Sequence, residues 1–167
     1  LGQQQIKGGR ILVGDGNVIA KAAGKGKGAN LRYVRRYPEG ALYGHPIGYS
    51  FVGNGDSEFE EFHNEELIGE DSEFASILDE ITGAKQEGND IVTNLDPTAQ
   101  RTALSDLEGA GFGAVVAIVP QTGEVKVMAS NKPYDPNRIP YEQEKLNQSL
   151  IETPLVNRAT QGRYPPG

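Results

Sequence analysis

The sequence predicts an α+β fold, because strand patterns and helical patterns occur in the same chain, and two neighbouring strand patterns are the clearest of them. Residues 114–119 form an unbroken apolar run rich in valine, and residues 125–129 then place valine or alanine at every second position. Both patterns are typical of strands, and residues 120–123 between them predict a tight connection, so the simplest arrangement is an antiparallel hairpin. Because the first run is apolar throughout, we expect that strand to be buried on both faces.

Length and composition indicate a folded protein with long loops. The chain has 167 residues, of which 37% are hydrophobic, with 22 glycines, 10 prolines and no tryptophan. The absence of cysteine excludes disulfides and thiolate metal sites. No apolar run is long enough to span a bilayer, and no signal peptide is visible. Since the chain begins with Leu1, we expect it to be a piece of a longer protein whose upstream part is missing.

Charge is distributed unevenly along the chain. Residues 1–50 hold eight Lys and Arg against two Asp and Glu, residues 51–112 hold two against 16, and residues 113–167 hold six against five. The corresponding net charges are +6, −14 and +1. This division indicates three organisational units, and it does not favour nucleic-acid binding, which calls for an overall basic chain or aromatic residues among the basic ones. We expect the acidic part to be a solvated surface, as most runs of charge are. The spacing of its acidic residues does not match a calcium-binding loop.

The first 50 residues predict short strands. Turn-forming residues at 14–17 separate two apolar runs, which predicts a small hairpin. Residues 24–28 alternate glycine with lysine and have the composition of a flexible loop. Residues 31–37 then predict a strand that Pro38 ends.

Helical patterns follow in the acidic part. In residues 57–68, the side chains of Phe59, Phe62 and Leu67 lie roughly on one predicted face. Residues 72–82 place apolar side chains at positions i, i+3, i+4 and i+7, which predicts an amphipathic helix.

A linker is predicted at residues 84–89, which divides the chain into domains at 1–88 and 89–167. Residues 91–95 predict the first strand of the second domain.

The second domain contains further helices. Asp96 and Pro97 are a good N-cap and first residue for a helix that Gly109 ends. Residues 141–158 contain enough apolar positions for one or two short helices, interrupted at Pro154.

Several side chains are candidates for contacts with other molecules. Arginine can hold a carboxylate at two points, and His45 lies in a Gly-His-Pro turn where packing or capping is favoured over ligation or catalysis. Two lone histidines do not form a metal site. The glycine-rich stretch at 109–113 follows a predicted helix and precedes a predicted strand, which is the reverse of the order in a dinucleotide-binding loop. We therefore expect no metal, cofactor or nucleic acid. The candidate interaction residues are Arg10, Arg35, Arg36, Tyr37, His45 and Tyr49.

Short motifs also occur in a specific order. They are Gly9-Arg10-Ile11 with Asp15-Gly16, Tyr37-Pro38, His45-Pro46-Ile47-Gly48-Tyr49, Thr93-Asn94-Leu95-Asp96 with Gln100, Gly113-Ala114-Val115-Val116-Ala117, Thr122-Gly123-Glu124, Met128-Ala129-Ser130, Tyr134-Asp135-Pro136-Asn137, and Asn157-Arg158-Ala159 leading to Tyr164-Pro165-Pro166-Gly167. In this order and spacing, over nearly the whole chain, they resemble the class B penicillin-binding proteins, the membrane-anchored transpeptidases that cross-link peptidoglycan.

The resemblance implies that the reactive serine lies outside this sequence. In that family a Ser-x-x-Lys motif follows the Pro-Gly turn, and its serine is acylated by the peptide or by a β-lactam. No serine of this chain has lysine three residues later or asparagine two residues later, and Lys-Thr-Gly is absent. We therefore expect no catalytic residue in this chain, which should be inert, and a parent protein that is a serine-type D,D-transpeptidase.

The resemblance further implies what each domain does. Residues 1–88 would be a pedestal (dimerisation) domain of short strands and helices, and residues 89–167 the opening strands and helix of the transpeptidase domain. The parent would lie at the outer face of the cytoplasmic membrane, anchored by an upstream segment. Its partners would be a glycan-polymerising membrane protein or a second copy, and it would act on peptidoglycan stem peptides and β-lactams. The basic first 50 residues would be attracted to anionic lipid or an acidic partner.

Two other interpretations remain open at this point. The chain could be an independent secreted binding module, which a reading frame lacking Ser-x-x-Lys beyond Gly167 would indicate. It could also be a hydrolase that uses Asp or Glu with His45 or His63.

Overall fold

The structure is a computed structural model that describes residues 5–69, 87–109, 111–149 and 151–163. The predicted helix at 72–82, residues 84–86 of the predicted linker and the Tyr-Pro-Pro-Gly stretch at 164–167 lie outside the described residues. The fold mixes short strands and helices, so the α+β prediction is confirmed.

The chain opens with the predicted hairpin. Strand β1 (Ile11–Leu12) pairs antiparallel with β2 (Val18–Lys25), and β2 pairs antiparallel with β3 (Arg32–Arg36). Gly24 and Lys25, predicted to be flexible loop, instead form the last two positions of β2 and lie opposite residues of β3. The loop prediction was wrong there because ladder hydrogen bonds to a neighbouring strand can outweigh the weak strand propensity of glycine.

The next part of the chain is compact and consists of short elements. In order, they are α1 (Gly44–Ile47), β4 (Ser50–Phe51), β5 (Gly55–Asp56), α2 (Glu58–Phe62) and α3 (Asn64–Ile68), and β4 and β5 form an antiparallel hairpin.

The single helix predicted at 57–68 is divided in two. His63 has φ −111° and ψ 23°, outside the helical range, so α2 ends before it and α3 begins after it. The three apolar side chains no longer share one face: Leu67 is buried, Phe59 is half-buried and Phe62 is 83% exposed. The predicted common face was wrong because the break changes the helical phase between residues 62 and 67.

A long-range pairing completes the main sheet. Strand β6 (Ile91–Val92) pairs with β1 in parallel, so that Ile11 lies opposite Ile91. The sheet has the order β3-β2-β1-β6. This pairing connects the two sides of the predicted boundary between residues 88 and 89, and the division of the chain at that point stays a prediction.

Helix α4 (Pro97–Asp106) follows and begins as predicted. The Asp96 carboxylate accepts the Ala99 backbone N–H at 2.8 Å, and Pro97 occupies the first turn, where its missing N–H costs nothing.

The predicted hairpin is formed by β7 (Ala114–Ile118) and β8 (Val125–Ser130), which pair antiparallel. Helix α4 packs on one face of it, through a cluster of Ala103, Val127 and Ala129 with Val115 beside it. The opposite face of β7 is open: Val116 is 44% and Ile118 is 54% exposed. The prediction that β7 is buried on both faces is therefore wrong for the described residues, in which β8 is its only strand neighbour and α4 covers a single face.

Two short helices close the described part. They are α5 (Ile139–Gln148) and α6 (Arg158–Gln161). Helix α5 lies before Pro154 as predicted, whereas α6 begins only at the last residue of the predicted range 141–158, because Asn157 caps it there.

The main hydrophobic core draws on both halves of the chain. Ile11, Ile19 and Ile47 pack in one cluster with Tyr134 and Ile139. None of the helices within the described ranges is both long and apolar enough to cross a membrane.

Candidate functional site: a buried polar junction

The Asn157 side chain joins four segments of the chain. It is fully buried, and its Oδ1 accepts the Ala159 backbone N–H at 3.2 Å, which caps α6. The same oxygen accepts the Ser130 hydroxyl at 3.3 Å, at the end of β8. Its Nδ2 lies 3.4 Å from both the His45 carbonyl oxygen and Glu58 Oε2, in α1 and α2. Asn157 thus fixes the start of α6 against both halves of the molecule.

Arg158 is the second buried residue of this junction and is only 5% exposed. Its backbone N–H donates to Ser130 Oγ at 3.0 Å, and its Nη1 donates to the Asn131 carbonyl at 3.1 Å. Nη2 donates to Thr153 Oγ1 at 3.0 Å, and the guanidinium carbon lies 4.9 Å from the centre of the Phe112 ring. Carbonyl and hydroxyl oxygens and an aromatic face therefore accommodate this charge.

Glu58 reaches the junction from the N-terminal half. Its backbone has φ +53°, which is unusual for a residue with a side chain. Its carboxylate contacts Asn157 and lies 3.2 Å from Nε2 of Gln161 in α6. Burial raises the pKa of Glu58. The hydrogen bond from Asn157 lowers this pKa, and the negative charge of Glu61 raises it further. A strained residue that contacts another segment is a candidate for a positioning role.

Gln100 provides a second connection between segments. Its side chain is fully buried in α4, and Nε2 donates to the carbonyl oxygens of Leu42 at 3.1 Å and Met128 at 2.9 Å. Its Oε1 accepts the Met128 N–H at 3.0 Å. Gln100 therefore satisfies both backbone groups of one residue of β8 and ties that strand to the segment before α1.

We name as the junction the set of Glu58, Ser130, Asn157, Arg158 and Gln161. Asn157-Arg158-Ala159 and Met128-Ala129-Ser130 were among the quoted motifs, but the sequence did not predict the contacts of buried Ser130 and half-buried Glu58 in this junction. No local pattern indicates that residues about 100 positions apart will meet. The only signal was the position of Asn157, since asparagine favours the residue before a helix.

A separate buried cluster contains two of the candidate interaction residues. Arg35 Nε lies 2.6 Å from Glu60 Oε1, and the Tyr37 hydroxyl donates to the same oxygen at 3.0 Å. The Ser50 N–H donates to Tyr37 Oη at 2.8 Å, and Arg35 Nη1 donates to the Gly9 carbonyl. Burial raises the pKa of Glu60, which Arg35 partly offsets, and burial also raises the pKa of Tyr37 well above its usual value. These contacts connect β3, β4 and α2.

His45 is packed, as the sequence favoured. It is 2% exposed, and its Nε2 lies 2.8 Å from the Pro154 carbonyl oxygen, so that this nitrogen carries the proton and donates. The ring meets Tyr134 edge-on at 5.4 Å between centroids. Burial lowers the pKa of His45 to about 4, with a further lowering by Arg158. His45 is therefore neutral at pH 7, and its Nε2 is hydrogen-bonded to a backbone carbonyl group. In this arrangement Nε2 does not accept a proton from a nucleophile.

The other three candidate interaction residues differ in exposure. Arg10 is ion-paired with Asp90 through its guanidinium, and its N–H donates to Asp90 Oδ1 at 2.7 Å. Tyr49 is half-buried, with its hydroxyl 3.0 Å from Gln143 Nε2. Arg36 is exposed. Since Arg35, Tyr37 and His45 have partners inside the fold, a surface role suits Arg10 and Arg36 best, and the interaction role of all six residues stays a prediction.

The junction can position a backbone segment but is poorly suited to proton transfer. The Ser130 hydroxyl contacts Asn157 Oδ1, an amide oxygen that is not a general base, and the Arg158 N–H. In the part of the chain that the structure describes, no cluster of three or more His, Cys, Asp or Glu residues could hold a metal ion.

Comparison with known proteins gives the class of protein. A family model described as Penicillin binding protein A dimerisation domain matches residues 8–91, and one described as Penicillin binding protein transpeptidase domain matches residues 113–167. The fold is therefore that of a penicillin-binding-protein dimerisation domain followed by the start of a transpeptidase domain.

Individual relatives agree with the family matches. The peptidoglycan D,D-transpeptidase PbpA of Mycolicibacterium smegmatis is 30% identical over 151 residues, which cover 82% of this chain and 30% of that protein. The peptidoglycan D,D-transpeptidase MrdA of Acinetobacter baumannii is 32% identical over 166 residues, which cover 80% and 24%. The penicillin G acyl-enzyme complex of penicillin-binding protein A from M. tuberculosis superposes with a TM-score of 0.78 at 26% identity, covering 92% of this chain and 38% of that one.

The chain belongs to the penicillin-binding proteins. It spans 30% and 24% of the length of these two curated relatives.

Proposed function

We propose that this chain is the non-catalytic N-terminal part of a class B penicillin-binding protein whose complete form cross-links peptidoglycan by acyl-serine transpeptidation. In this proposal, the chain positions the catalytic domain and contacts other proteins. The observation that carries the proposal is the order of the two family matches, a dimerisation domain at residues 8–91 and a transpeptidase domain from residue 113. The sequence itself lacks Ser-x-x-Lys, Ser-x-Asn and Lys-Thr-Gly.

The junction supports a positioning role. Helix α6 ends two residues before the Tyr-Pro-Pro-Gly stretch, after which the family places its reactive serine. Asn157 and Arg158 hold the start of α6 against β8, and Glu58 holds Asn157 and Gln161 from the N-terminal half. Contacts from the N-terminal domain would therefore set where the following segment begins. Small displacements of a reactive group lower rates strongly, by about 100-fold for about 1 Å.

The proposed setting is the outer face of the cytoplasmic membrane, with an anchor upstream of this chain. The proposed substrates of the parent are peptidoglycan stem peptides, and its acylating inhibitors are β-lactams. The names of the curated relatives, which are D,D-transpeptidases, and the penicillin G complex of the M. tuberculosis protein support this. Proposed partners are a glycan-polymerising membrane protein and a second copy of the chain.

The two alternative interpretations receive less support. The family matches favour a penicillin-binding protein over an independent secreted module. A hydrolase based on His45 is disfavoured because its Nε2 donates to the Pro154 carbonyl and its pKa is lowered. His63 lies 3.6 Å from Glu66 at the surface and has no hydroxyl partner among the described residues.

An acylation assay on the parent tests the positioning role. We expect Glu58→Ala, in a protein extended through the whole catalytic domain, to slow acylation by fluorescent penicillin by at least about tenfold, because α6 loses its contact with α2. Glu108→Ala is the control, since Glu108 is exposed just after α4 and is not a residue of the junction. Equal acylation rates for the folded Glu58→Ala and Glu108→Ala proteins would refute the positioning role.

A further inference from the structure

The β2–β3 ribbon places like charges directly opposite one another. In its register, Lys21 lies opposite Arg36 and Lys25 lies opposite Arg32. Directly opposed residues of an antiparallel pair point to the same face, and so do residues four apart on one strand. All four cations therefore share one face of the ribbon. Like charges in this arrangement repel, and they destabilise the isolated ribbon.

These cations have no carboxylate partner within the described part of the chain. Lys21, Lys25 and Arg36 are exposed and form no ion pair there. Arg32 is half-buried, and its Nη1 donates to the carbonyl oxygens of Ala29 and Leu31. The sequence has no Asp or Glu between residues 16 and 38, so the two strands themselves supply no carboxylate to this face. We call Lys21, Lys25, Arg32 and Arg36 the cationic ribbon.

Two exposed carboxylates and an exposed aromatic side chain lie close together in the sequence, in α2 and α3. Glu61 and Glu65 are exposed and have no ion pair among the described residues. Phe62 between them is 83% exposed, and an aromatic face can accept a cation. We call Glu61, Phe62 and Glu65 the acidic ridge.

We propose that the cationic ribbon of one copy of this chain binds the acidic ridge of a second copy. The two surfaces are complementary in charge, in a chain whose residues 1–50 carry +6 and whose residues 51–112 carry −14. Both lie within residues 8–91, which match a dimerisation domain. A two-fold symmetric dimer would form the contact twice, because each copy carries both surfaces. The inference rests on the proposed contact role of this domain and does not depend on any catalytic role of the parent.

The interaction should be weak and sensitive to salt. An exposed ion pair contributes little on its own, and several must act together. The total charge of −7 makes two copies repel at long range, so the attraction acts only when the two surfaces meet. Raising the ionic strength shortens the range of the attraction to about 8 Å at 0.15 M salt and weakens it. Association through the apolar face of β7 would respond differently, since salt does not weaken apolar contacts.

A charge-exchange experiment tests the contact between copies. The full chain is examined by sedimentation equilibrium at low ionic strength. We expect Lys21→Glu with Arg36→Glu to weaken self-association at least about tenfold, and Glu61→Lys with Glu65→Lys to do the same. An equimolar mixture of these two variants should associate about as well as the unchanged chain, because each ribbon then faces a ridge of opposite charge. The control, Lys145→Glu with Arg163→Glu, reverses two exposed cations elsewhere and should leave association within about threefold.

Several outcomes would overturn the proposal. One is a mixture that associates no better than the separate variants, each shown to be folded by circular dichroism. Another is an unchanged chain that stays monomeric at low salt. If it does so while binding phosphatidylglycerol vesicles through the same four cations, the partner is an anionic membrane and not a second copy. Acylation of the extended parent by penicillin is independent of all these results, so a failure here is distinguishable from a failure of the proposed function.

Discussion

Single residues in strained or buried positions hold the N-terminal part of this molecule to its C-terminal part. Gly48 has φ +77° and ψ −147°, a conformation that glycine alone adopts readily, and a Cβ there would lie 2.1 Å from the Ser57 carbonyl oxygen. Gly48 ends α1 where the chain passes the start of α2, next to strained Glu58. The entry of α2, and with it the position of the Glu58 carboxylate, depends on this glycine.

Replacing this glycine should strongly destabilise the fold. We expect Gly48→Ala to lower the free energy of unfolding by more than about 4 kcal/mol, from backbone strain and the clash with Ser57 together. Gly16→Ala is the matched control: Gly16 also has positive φ, +87°, but a Cβ there would meet nothing within 4 Å. It should cost about 1 to 2 kcal/mol. Urea denaturation measures both, and similar values for the two variants would contradict the proposed role of the close approach.

His45 should make folding stability depend on pH. Its pKa is lowered from 6.5 to about 4 in the folded protein, so between these values the unfolded chain binds a proton that the folded chain excludes. The contribution of neutral His45 to the free energy of unfolding is therefore fully present above pH 6.5 and is lost as pH falls toward 4. Between pH 7 and 5, the unchanged chain should lose roughly 2 kcal/mol more than His45→Gln, which cannot titrate.

The matched control for this experiment is His63→Gln, since His63 is a more exposed histidine with a side chain 38% accessible. The loss of stability that His45 contributes should persist in this variant, because His45 is unchanged in it. If His45→Gln and the unchanged chain have the same stability difference between the two pH values in urea denaturation, His45 is not held neutral by burial.

At the level of elements, the sequence predicted what local patterns determine. Helix α4 begins with the Asp96 cap and Pro97. The β1–β2 and β7–β8 hairpins form where turn-forming residues separate two apolar runs. The parallel pairing of β1 with β6 was not predictable, because two-residue strands about 80 positions apart carry no pattern that selects each other. The same holds for Gln100, whose amide meets Leu42 and Met128 only after folding.

The exposure of β7 also follows from tertiary context. An apolar run predicts burial on both faces only if both faces are covered, and α4 covers one of them in the described residues. Val116 and Ile118 are therefore exposed. An apolar face beside an unpaired strand edge favours association.

We expect the chain to associate through this face at high protein concentration and high salt. Val116→Lys with Ile118→Lys should abolish that association, because both side chains point to the open face of β7. Val92→Lys is the control, since Val92 is 64% exposed on a different sheet, and it should have little effect. Sedimentation velocity distinguishes the outcomes: a strictly monomeric unchanged chain would show that the open face does not drive association.

In the molecule as a whole, the two matched family regions share one core and one set of buried polar contacts. The main cluster contains Ile11 and Ile47 as well as Tyr134 and Ile139, and β1 pairs with β6 across the predicted boundary. The resemblance of the motifs to class B penicillin-binding proteins was sufficient to predict the family and the α+β fold. It did not predict the junction, because only the folded chain brings Glu58 to Asn157 and Gln161.

Covalent labelling by fluorescent penicillin tests the central claim most directly, that this chain supports a catalytic centre which it does not itself contain. The purified chain and the product of its reading frame, extended past Gly167, are incubated with the reagent and separated by denaturing electrophoresis. We predict a labelled band for the extended product, with its serine in a Ser-x-x-Lys motif, and none for the chain alone. Covalent labelling of the chain alone, or an extended product that is folded and remains unlabelled, would contradict the account.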